Sequence, residues 1–567
     1  MIHYKNLGLA VLINTFFMVM CLGFSHLRYG AIDDYFMAGL LSGMYGNDYN
    51  VHLIFVNAVY GYMLLPLYHL FPQISWYYIG ELASIFISLT LIVYFIMYKV
   101  GREWGAILGA ILVATYAKDL YVVLQFTQCA VVLITAGVLS LIYTFEVSKS
   151  TFIKTREILI TTTTGIFLLW WGSFMRWDVF LMGVPFFIAT FFLWAKDRTV
   201  NKRFVAAILL TTLLGTLAFQ QFNQSLYQAP EYKQFMDFQP FRVLLGDGAF
   251  YNEQAVYEEL QEMGESPKDF DLLKKWFFYD NENFAPERVK IIEQLIQNNI
   301  VKNSYLVLPV MLIQRLAQIA YSPIFFAWVA FGIVLLISNK KKTLFLWLSL
   351  LLFLAALAYL LAINRPVYRV QLGLIFFATV TATVFWKSLP RLSAKILYGA
   401  FIIFLGFSGW IYYDTRNVFR GPNDGDLIKM EKVLSGKGYS ELFQYMDSMP
   451  DSILFVTPMD TYMNFAEHRL PPYLNEPIGS WQRIVPSGYW TPYYPDVETA
   501  FRKRGMKNPM KDIVKDNVFF ISDIKFKTSL VDYLQEHYFD SVSVDTVKHF
   551  ADVSVLKYSV VDGENGK

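Results

Sequence analysis

Two adjacent carboxylates, Asp33 and Asp34, stand in the run Arg28-Tyr-Gly-Ala-Ile-Asp-Asp-Tyr-Phe-Met-Ala-Gly. Apolar residues follow at Phe36, Met37, Leu40 and Leu41, so the run predicts a helix that starts here with an Asp as its cap. The pair is either a capped helix start at a membrane surface or holds a general base that removes the proton of an acceptor hydroxyl. Adjacent acids at a helix start point in different directions, so one of the two is expected to do chemistry. Three further charged groups lie in otherwise apolar surroundings: Lys118-Asp119, Arg176-Trp-Asp178, and Arg365-Pro-Val-Tyr-Arg369. Arginine suits bidentate phosphate contact. Arg365 and Arg369, four apart, fit a diphosphate or phosphodiester head group, or else anchor the chain beside lipid phosphates. Lys118-Asp119 reads as a boundary salt bridge or solvated turn, or else as a substrate position; Arg176 and Asp178 either pair with each other or serve a substrate, and His52 is a further candidate polar position. The segment 481–494 (WQRIVPSGYWTPYY) offers Trp481, Tyr489 and Trp490 as stacking surfaces for a ring, or packs as a loop turned by Pro and Gly.

These residues need a scaffold, and the composition says which kind. Of 567 residues, 55% are hydrophobic and 17% are charged, against about 25% charged in an ordinary soluble domain. Thirty-six of the 46 acidic residues fall in two stretches, 223–302 and 414–567. This pattern excludes a disordered chain, a nucleic-acid binder and an ordinary cytosolic enzyme. The net charge of +2 points to no strongly charged partner. Cys21 and Cys129 both lie in apolar runs and support neither a disulfide framework nor a cysteine metal site.

Eleven runs have the length and apolarity of a membrane span, at 7–24, 76–98, 104–117, 121–144, 158–175, 178–195, 204–222, 318–338, 343–362, 370–386 and 396–413. The first has no small-residue cleavage site and is expected to remain as an anchor. With the N-terminus in the cytoplasm, the inner loops hold sixteen Lys and Arg, and the outer side, polar stretches apart, holds six. Residues 53–72 and 305–317 are apolar enough to raise the count, but either alone as a full crossing would invert the bias. Both are expected at the outer interface or dipping partway in. Asn57, Pro66 and His69 fit that reading.

Both polar stretches then lie outside the cell. The expected organisation is a transmembrane domain over 1–413, with a first outer loop at 25–75 and a second at 223–317, followed by an extracytoplasmic domain over 414–567. β-like runs at 452–457, 518–522 and 553–561 alternate with helical patterns at 439–448 and 529–538, which predicts a small α/β or α+β domain. Six acids of the membrane part, Asp33, Asp34, Asp48, Glu81, Asp119 and Asp178, fall on or near the outer side. Glu103, Glu146, Glu157 and Asp197 fall in inner loops, where solvation explains them.

An acidic pair directly after the first span, interfacial helices before the second, an acid in the next outer loop, outer arginines and a terminal outer domain together resemble the GT-C superfamily of integral-membrane glycosyltransferases. The resemblance implies a mainly α polytopic fold and a polyprenyl-phosphate-linked sugar donor. It gives Asp33 and Asp34 the catalytic position, Asp119 the second acidic position, and Arg365, Arg369 and less directly Arg176 the donor phosphate. A Trp-Trp-Asp oligosaccharyltransferase motif is missing from the outer domain, which argues against protein N-glycosylation. No clear His/acid ligand pair is evident, so no cofactor is expected; a divalent metal stays open but is not indicated.

The expected function is transfer of a hexosyl or pentosyl group, with inversion, to a cell-surface glycan, lipid or protein, in the plasma membrane of a bacterial-type cell. The alternatives are a polysaccharide polymerase of O-antigen or capsule type, and a transporter or flippase for lipid-linked substrates. Charges gathered on one face and the lack of a visible duplication weigh against the transporter.

Overall fold

A backbone crossing lipid must satisfy its own hydrogen bonds, and the apolar runs do so as helices. The structure is a computed structural model. It describes residues 4–25, 27–45, 48–148, 155–196, 198, 201–246, 251–301, 307–363, 365–390, 393, 399, 402–403, 406, 409, 418–420, 427–429, 437–459, 461, 472–475, 483–522, 526–550 and 553–561.

In chain order, α1 (Tyr4–Phe24) leads to a two-residue strand β1 (Arg28–Tyr29) and to α2 (Ile32–Leu41) and α3 (Ala58–Leu70). Then come α4 (Trp76–Val100) and α5 (Arg102–Ala117), the latter continued by a π-helical turn at Lys118–Val122 that runs into β2 (Val123–Leu124). The bundle proceeds through α6 (Phe126–Val147), α7 (Thr155–Met175), α8 (Trp177–Ala195) and α9 (Lys202–Leu226). Four shorter helices, α10 (Lys233–Gly246), α11 (Glu253–Glu262), α12 (Pro267–Lys274) and α13 (Pro286–Asn298), make up the acidic loop. The chain re-enters apolar structure with α14 (Leu308–Ala320), α15 (Pro323–Ser338), α16 (Leu344–Ala362) and α17 (Tyr368–Thr381).

Among the described residues nine helices are long and apolar enough to cross a membrane, and α14 with α15 forms a tenth candidate bent by 83°. The chain is a multi-pass membrane protein. Ten of the eleven expected spans coincide with these helices, and the run at 396–413 lies almost wholly outside the described residues. α3 has 13 residues, capped by Asn57 and carrying Pro66. At 1.5 Å per residue it reaches about 20 Å, too short for a hydrocarbon core of about 30 Å. The centre of the bundle is α4, α5, α6 and α17: α1 packs on α4 and α5, α7 lies along α6, and α17 packs on α6, α8 and α15. Asn14 pins this packing from inside α1. It donates to the Phe86 carbonyl (2.8 Å) and Thr90 Oγ1 (3.0 Å), and it accepts from the Tyr121 hydroxyl (2.6 Å).

Glu146 departs from its sequence reading. It is not solvated but buried at the end of α6, where it accepts from Lys99 (3.0 Å), Arg198 (2.9 Å) and the Trp194 indole (2.9 Å). The run of Lys and Arg in the inner loops gave no sign that two of them are folded onto one acid.

The terminal region carries a five-stranded mixed sheet. β5 (Leu454–Pro458) lies between β6 (Ile484–Ser487) and β7 (Val518–Ser522), all parallel; β9 (Val553–Val560) joins β7 antiparallel and β8 (Val542–Phe550) closes the other edge. A separate antiparallel pair joins β3 (Val418–Arg420) to β4 (Leu427–Lys429). Helices Lys437–Ser448, Pro495–Lys503 and Lys527–His537 complete the region, which is the small mixed domain the strand and helix pattern predicts. Its helix Lys527–His537 and the loop at Asn508 dock on the acidic loop through buried Asp280, which accepts from Asn508 (2.7 Å), Tyr533 (2.6 Å) and Tyr538 (2.6 Å).

Candidate active site

The di-acid is positioned by a backbone clamp. β1 pairs in parallel with β2, Arg28 opposite Val123 and Tyr29 opposite Leu124, and the Gly30 N–H donates to the Leu124 carbonyl. A Cβ at Gly30 would meet Val123 Cγ1 at 3.1 Å and the Leu124 oxygen at 3.3 Å, so a side chain would push the strands apart. The clamp sets the start of α2 against the end of the π-helical turn. Ala31 stands at the cap position with no side-chain cap bond, and Asp33 and Asp34 both lie in the first turn. The expected Asp cap is therefore corrected: the helix starts two residues earlier, and both acids sit where its positive end favours carboxylates.

The two acids have separate environments. Asp34 is fully buried. Its Oδ1 accepts from the Tyr77 hydroxyl (2.9 Å) and faces the Phe126 N–H (3.4 Å), and the Glu81 carboxyl interacts with it from α4. Burial first, then the charge of Asp33, pushes the Asp34 carboxyl well above the ordinary carboxylate range; the Tyr77, Phe126 and Glu81 hydrogen bonds oppose this. Asp33 is half-buried, and three cations act on its charge. Its Oδ1 accepts from the Trp490 indole N–H at 3.0 Å. Burial raises its pKa, while Arg369, Arg176, the Trp490 N–H and Arg242 hold it back.

Those three guanidiniums come from remote parts of the chain. Arg369 is in the first turn of α17 and interacts with Asp33, Asp34, Arg176 and Arg365. Arg176 precedes α8, its guanidinium over the rings of Phe126 (5.3 Å) and Phe55 (5.5 Å). Arg242 arrives on α10, 4% exposed, over Trp276 (5.7 Å) and Phe55 (5.8 Å), with its Nε donating to Gln239 (3.0 Å). Phe55 thus carries a cation from each of two segments. Three positive groups around one ionisable carboxylate make a pocket suited to a second anion.

The turn bearing Arg365 is braced rather than loose. Arg315 donates to the Pro366 carbonyl (3.0 Å) and to Gln371 (3.0 Å), and Gln371 donates to the same carbonyl (2.5 Å). Tyr368, between the two arginines, donates to Asp119 Oδ2 at 3.2 Å. Asp119 is 7% exposed inside the π-helical turn, so the solvated-turn reading of Lys118-Asp119 is corrected; Lys118 opens the turn and is half-buried.

The remaining sequence candidates have other surroundings than a substrate surface. Asp178 pairs with Arg176 at 3.1 Å but is largely solvated. His52 stacks on Tyr232 (4.3 Å) and holds Asn50 Oδ1 through Nδ1 (2.7 Å); burial pushes its pKa down to about 4. Tyr489 packs on Trp276 (4.0 Å). Trp490, 2% exposed, is closed to a sugar ring. Trp481 lies outside the described residues. Among the described residues no three His, Cys, Asp or Glu side chains are grouped as metal ligands.

No family model and no curated protein matches the chain. Among solved structures, ArnT from Cupriavidus metallidurans bound to undecaprenyl phosphate aligns at 13% identity over 98% of this chain and 97% of that one, with a TM-score of 0.43. The same protein in its apo state aligns at 11% identity over 97% of both chains, TM-score 0.43. An oligosaccharyltransferase from Archaeoglobus fulgidus aligns at 9% identity over 97% of this chain and 74% of that one, TM-score 0.46.

Two site residues were passed over in the sequence. Arg242 sits among solvated charges in the acidic loop, and nothing local marks it as buried. Glu81 was visible as an acid in a span, but its partner, Asp34, belongs to another helix.

Proposed function

We propose that the chain is an integral-membrane glycosyltransferase of GT-C type that moves a sugar from a polyprenyl-phosphate-linked donor to an acceptor hydroxyl on the extracytoplasmic side. The observation that carries this reading is that Arg176, Arg242 and Arg369, from three remote segments, lie near enough to act on the charge of Asp33, with Arg176 and Arg242 both over the Phe55 ring. A carboxylate able to take a proton faces cations able to take a phosphate, and apolar helices surround both.

In this reading Asp33, not Asp34, is the base. Asp34 is enclosed by Tyr77, Phe126 and Glu81 and has no open path to an acceptor. Asp33 accepts the proton of the acceptor hydroxyl as its oxygen bonds to the anomeric carbon. The bond from that carbon to the phosphate oxygen breaks on the opposite face, and polyprenyl phosphate leaves with the electron pair. One displacement inverts the centre. Negative charge grows on the departing phosphate, and guanidiniums fixed in a water-poor pocket stabilise it more in the transition state than in the ground state. Asp119 and the braced turn at Arg365 hold the donor end of the pocket.

The test is purified protein in liposomes with a labelled polyprenyl-phosphate sugar and a panel of acceptors. Asp33→Asn should lose transfer while keeping its melting temperature. Full transfer by that variant overturns the base assignment, and movement of labelled lipid across the bilayer without sugar transfer overturns the enzyme reading.

A further inference from the structure

Asp33 takes its one direct hydrogen bond among the described residues from a residue 457 positions later, in the terminal domain. A buried indole N–H needs some acceptor, and a backbone carbonyl would satisfy it. Trp490 instead uses the carboxylate, and its ring also packs on Phe36 (4.0 Å), one turn after Asp33 on α2, and on Phe55 (6.2 Å). Phe55 is the ring that carries Arg176 and Arg242.

The segment that presents Trp490 is held in unusual backbone geometry. Gly488, Tyr489 and Tyr493 have φ of 91°, 55° and 64°, and Trp276, against which the first two lie, has φ of 59°. Non-glycine residues rarely adopt such angles unless the surroundings impose them. The surroundings are the Trp276 carbonyl, which accepts the Tyr489 N–H (3.0 Å), and the His52 carbonyl, which accepts the Tyr494 hydroxyl (2.6 Å). A Cβ on Gly488 would stand 2.5 Å from the Trp276 oxygen, so glycine alone allows the approach. First outer loop, acidic loop and terminal domain are thus fastened together at one point, and the fastening ends on Asp33.

From this geometry we infer that Trp490 is a positioning residue: its indole N–H fixes one oxygen of Asp33 and turns the other toward the acceptor hydroxyl, making the docked terminal domain part of the reaction centre. The inference rests on the reading of Asp33 as the base. Besides Trp490, the groups that face Asp33 are Arg369, Arg176 and Arg242, with Asp34 beside it.

The experiment compares wild type with Trp490→Phe, which keeps an aromatic ring on Phe36 and loses the N–H, and with Gly488→Ala, which displaces the segment from outside the pocket. Two readouts are taken: the pH profile of transfer, and difference infrared spectra of the Asp33 carboxyl, its band assigned with Asp33→Asn. Losing a donor to the carboxylate favours its protonated form. Both variants should therefore move the Asp33 titration and the acid limb of the rate profile to higher pH, with kcat down roughly tenfold from lost orientation and KM little changed. A structural role alone would lower the rate at every pH without moving either limb, and unmoved limbs overturn the proposal. A moved infrared titration with full transfer by Asp33→Asn would keep the positioning and remove the base assignment, so the two claims fail separately.

Discussion

Tyr368 of α17 donates its hydroxyl to Asp119 of the π-helical turn at 3.2 Å, linking the arginine-bearing turn to the second acidic position across 249 residues of sequence. Asp119 is buried, so this bond both satisfies the acid and fixes the segment that carries Arg365 and Arg369. Tyr368→Phe leaves a buried carboxylate short of a donor, at about 1–3 kcal/mol. The expected outcome is a lower melting temperature and a raised KM for the lipid-linked donor, with kcat less affected. Steady-state kinetics against donor concentration checks the split.

Asp33 and Asp34 should answer differently to the same substitution. If Asp33 is the base, Asp33→Asn is expected to reduce transfer by about 10²–10⁴-fold. The Asp34 carboxyl is already biased toward its neutral form by burial and by Asp33. An Asn there still offers an oxygen to Tyr77, so Asp34→Asn should retain transfer within about tenfold, the range of a misplacement and not of a lost base. Equal losses in the two variants would contradict the division of roles.

Much of this site was legible because its signals are local. The di-acid is followed by apolar residues at helical spacing, so α2 could be read from one turn of sequence. Asn57 and Pro66 marked α3 as something other than a crossing. What escaped depends on packing between distant segments. Arg242 looks like any charge of a polar loop until Trp276 and Phe55 close over it. β6 is four residues long and contains Pro486, which lowers any strand reading, and only its place at the edge of the sheet makes it one. Glu146 sits at the end of a span, where solvation is the default; burial by Lys99, Arg198 and Trp194 is a tertiary fact.

That cluster separates stability from activity. Phe126, whose N–H faces Asp34, starts α6, and Glu146 lies 20 residues further along the helix, about 30 Å away at 1.5 Å per residue. Glu146→Gln leaves buried Lys99 without its anion, and the exposed Arg198 with it, and removing one partner of a buried ion pair costs about 3–5 kcal/mol. Melting in detergent should fall sharply, while transfer per folded molecule stays near wild type.

The docking of the terminal domain should weaken as pH rises. Asp496 accepts from Asn50 at 2.8 Å; burial first, with the charges of Asp48 and Glu231, raises its pKa to about 6 from an ordinary 3.8, and the Asn50 bond opposes this. A carboxyl whose folded pKa is raised binds more protons folded than unfolded. Its contribution is fully present below pH 3.8 and is lost as pH climbs through 6. Asp496→Asn should therefore match wild type in melting near pH 4 and exceed it near pH 7. Melting curves across that window test the sign, and an advantage confined to low pH would contradict it.

Arg242 gives the sharpest test of a pocket shared by base and phosphate, because it belongs to neither the di-acid loop nor the later arginine turn. If it stabilises the departing phosphate, removing it takes away an interaction that grows in the transition state, so kcat falls while donor KM moves less. Arg242→Ala should lower kcat by about 10–10³-fold, the lower figure applying if Arg176 and Arg369 take up the charge. Arg242→Lys keeps the charge but not the planar fork or its stacking on Trp276 and Phe55, and should recover only part of the loss. If Arg242 merely balances Asp33, the outcome differs in kind: the alanine variant would shift the acid limb of the rate profile to higher pH and leave the plateau rate intact. Measuring the plateau and the limb in one pH series distinguishes a phosphate contact from a counter-ion.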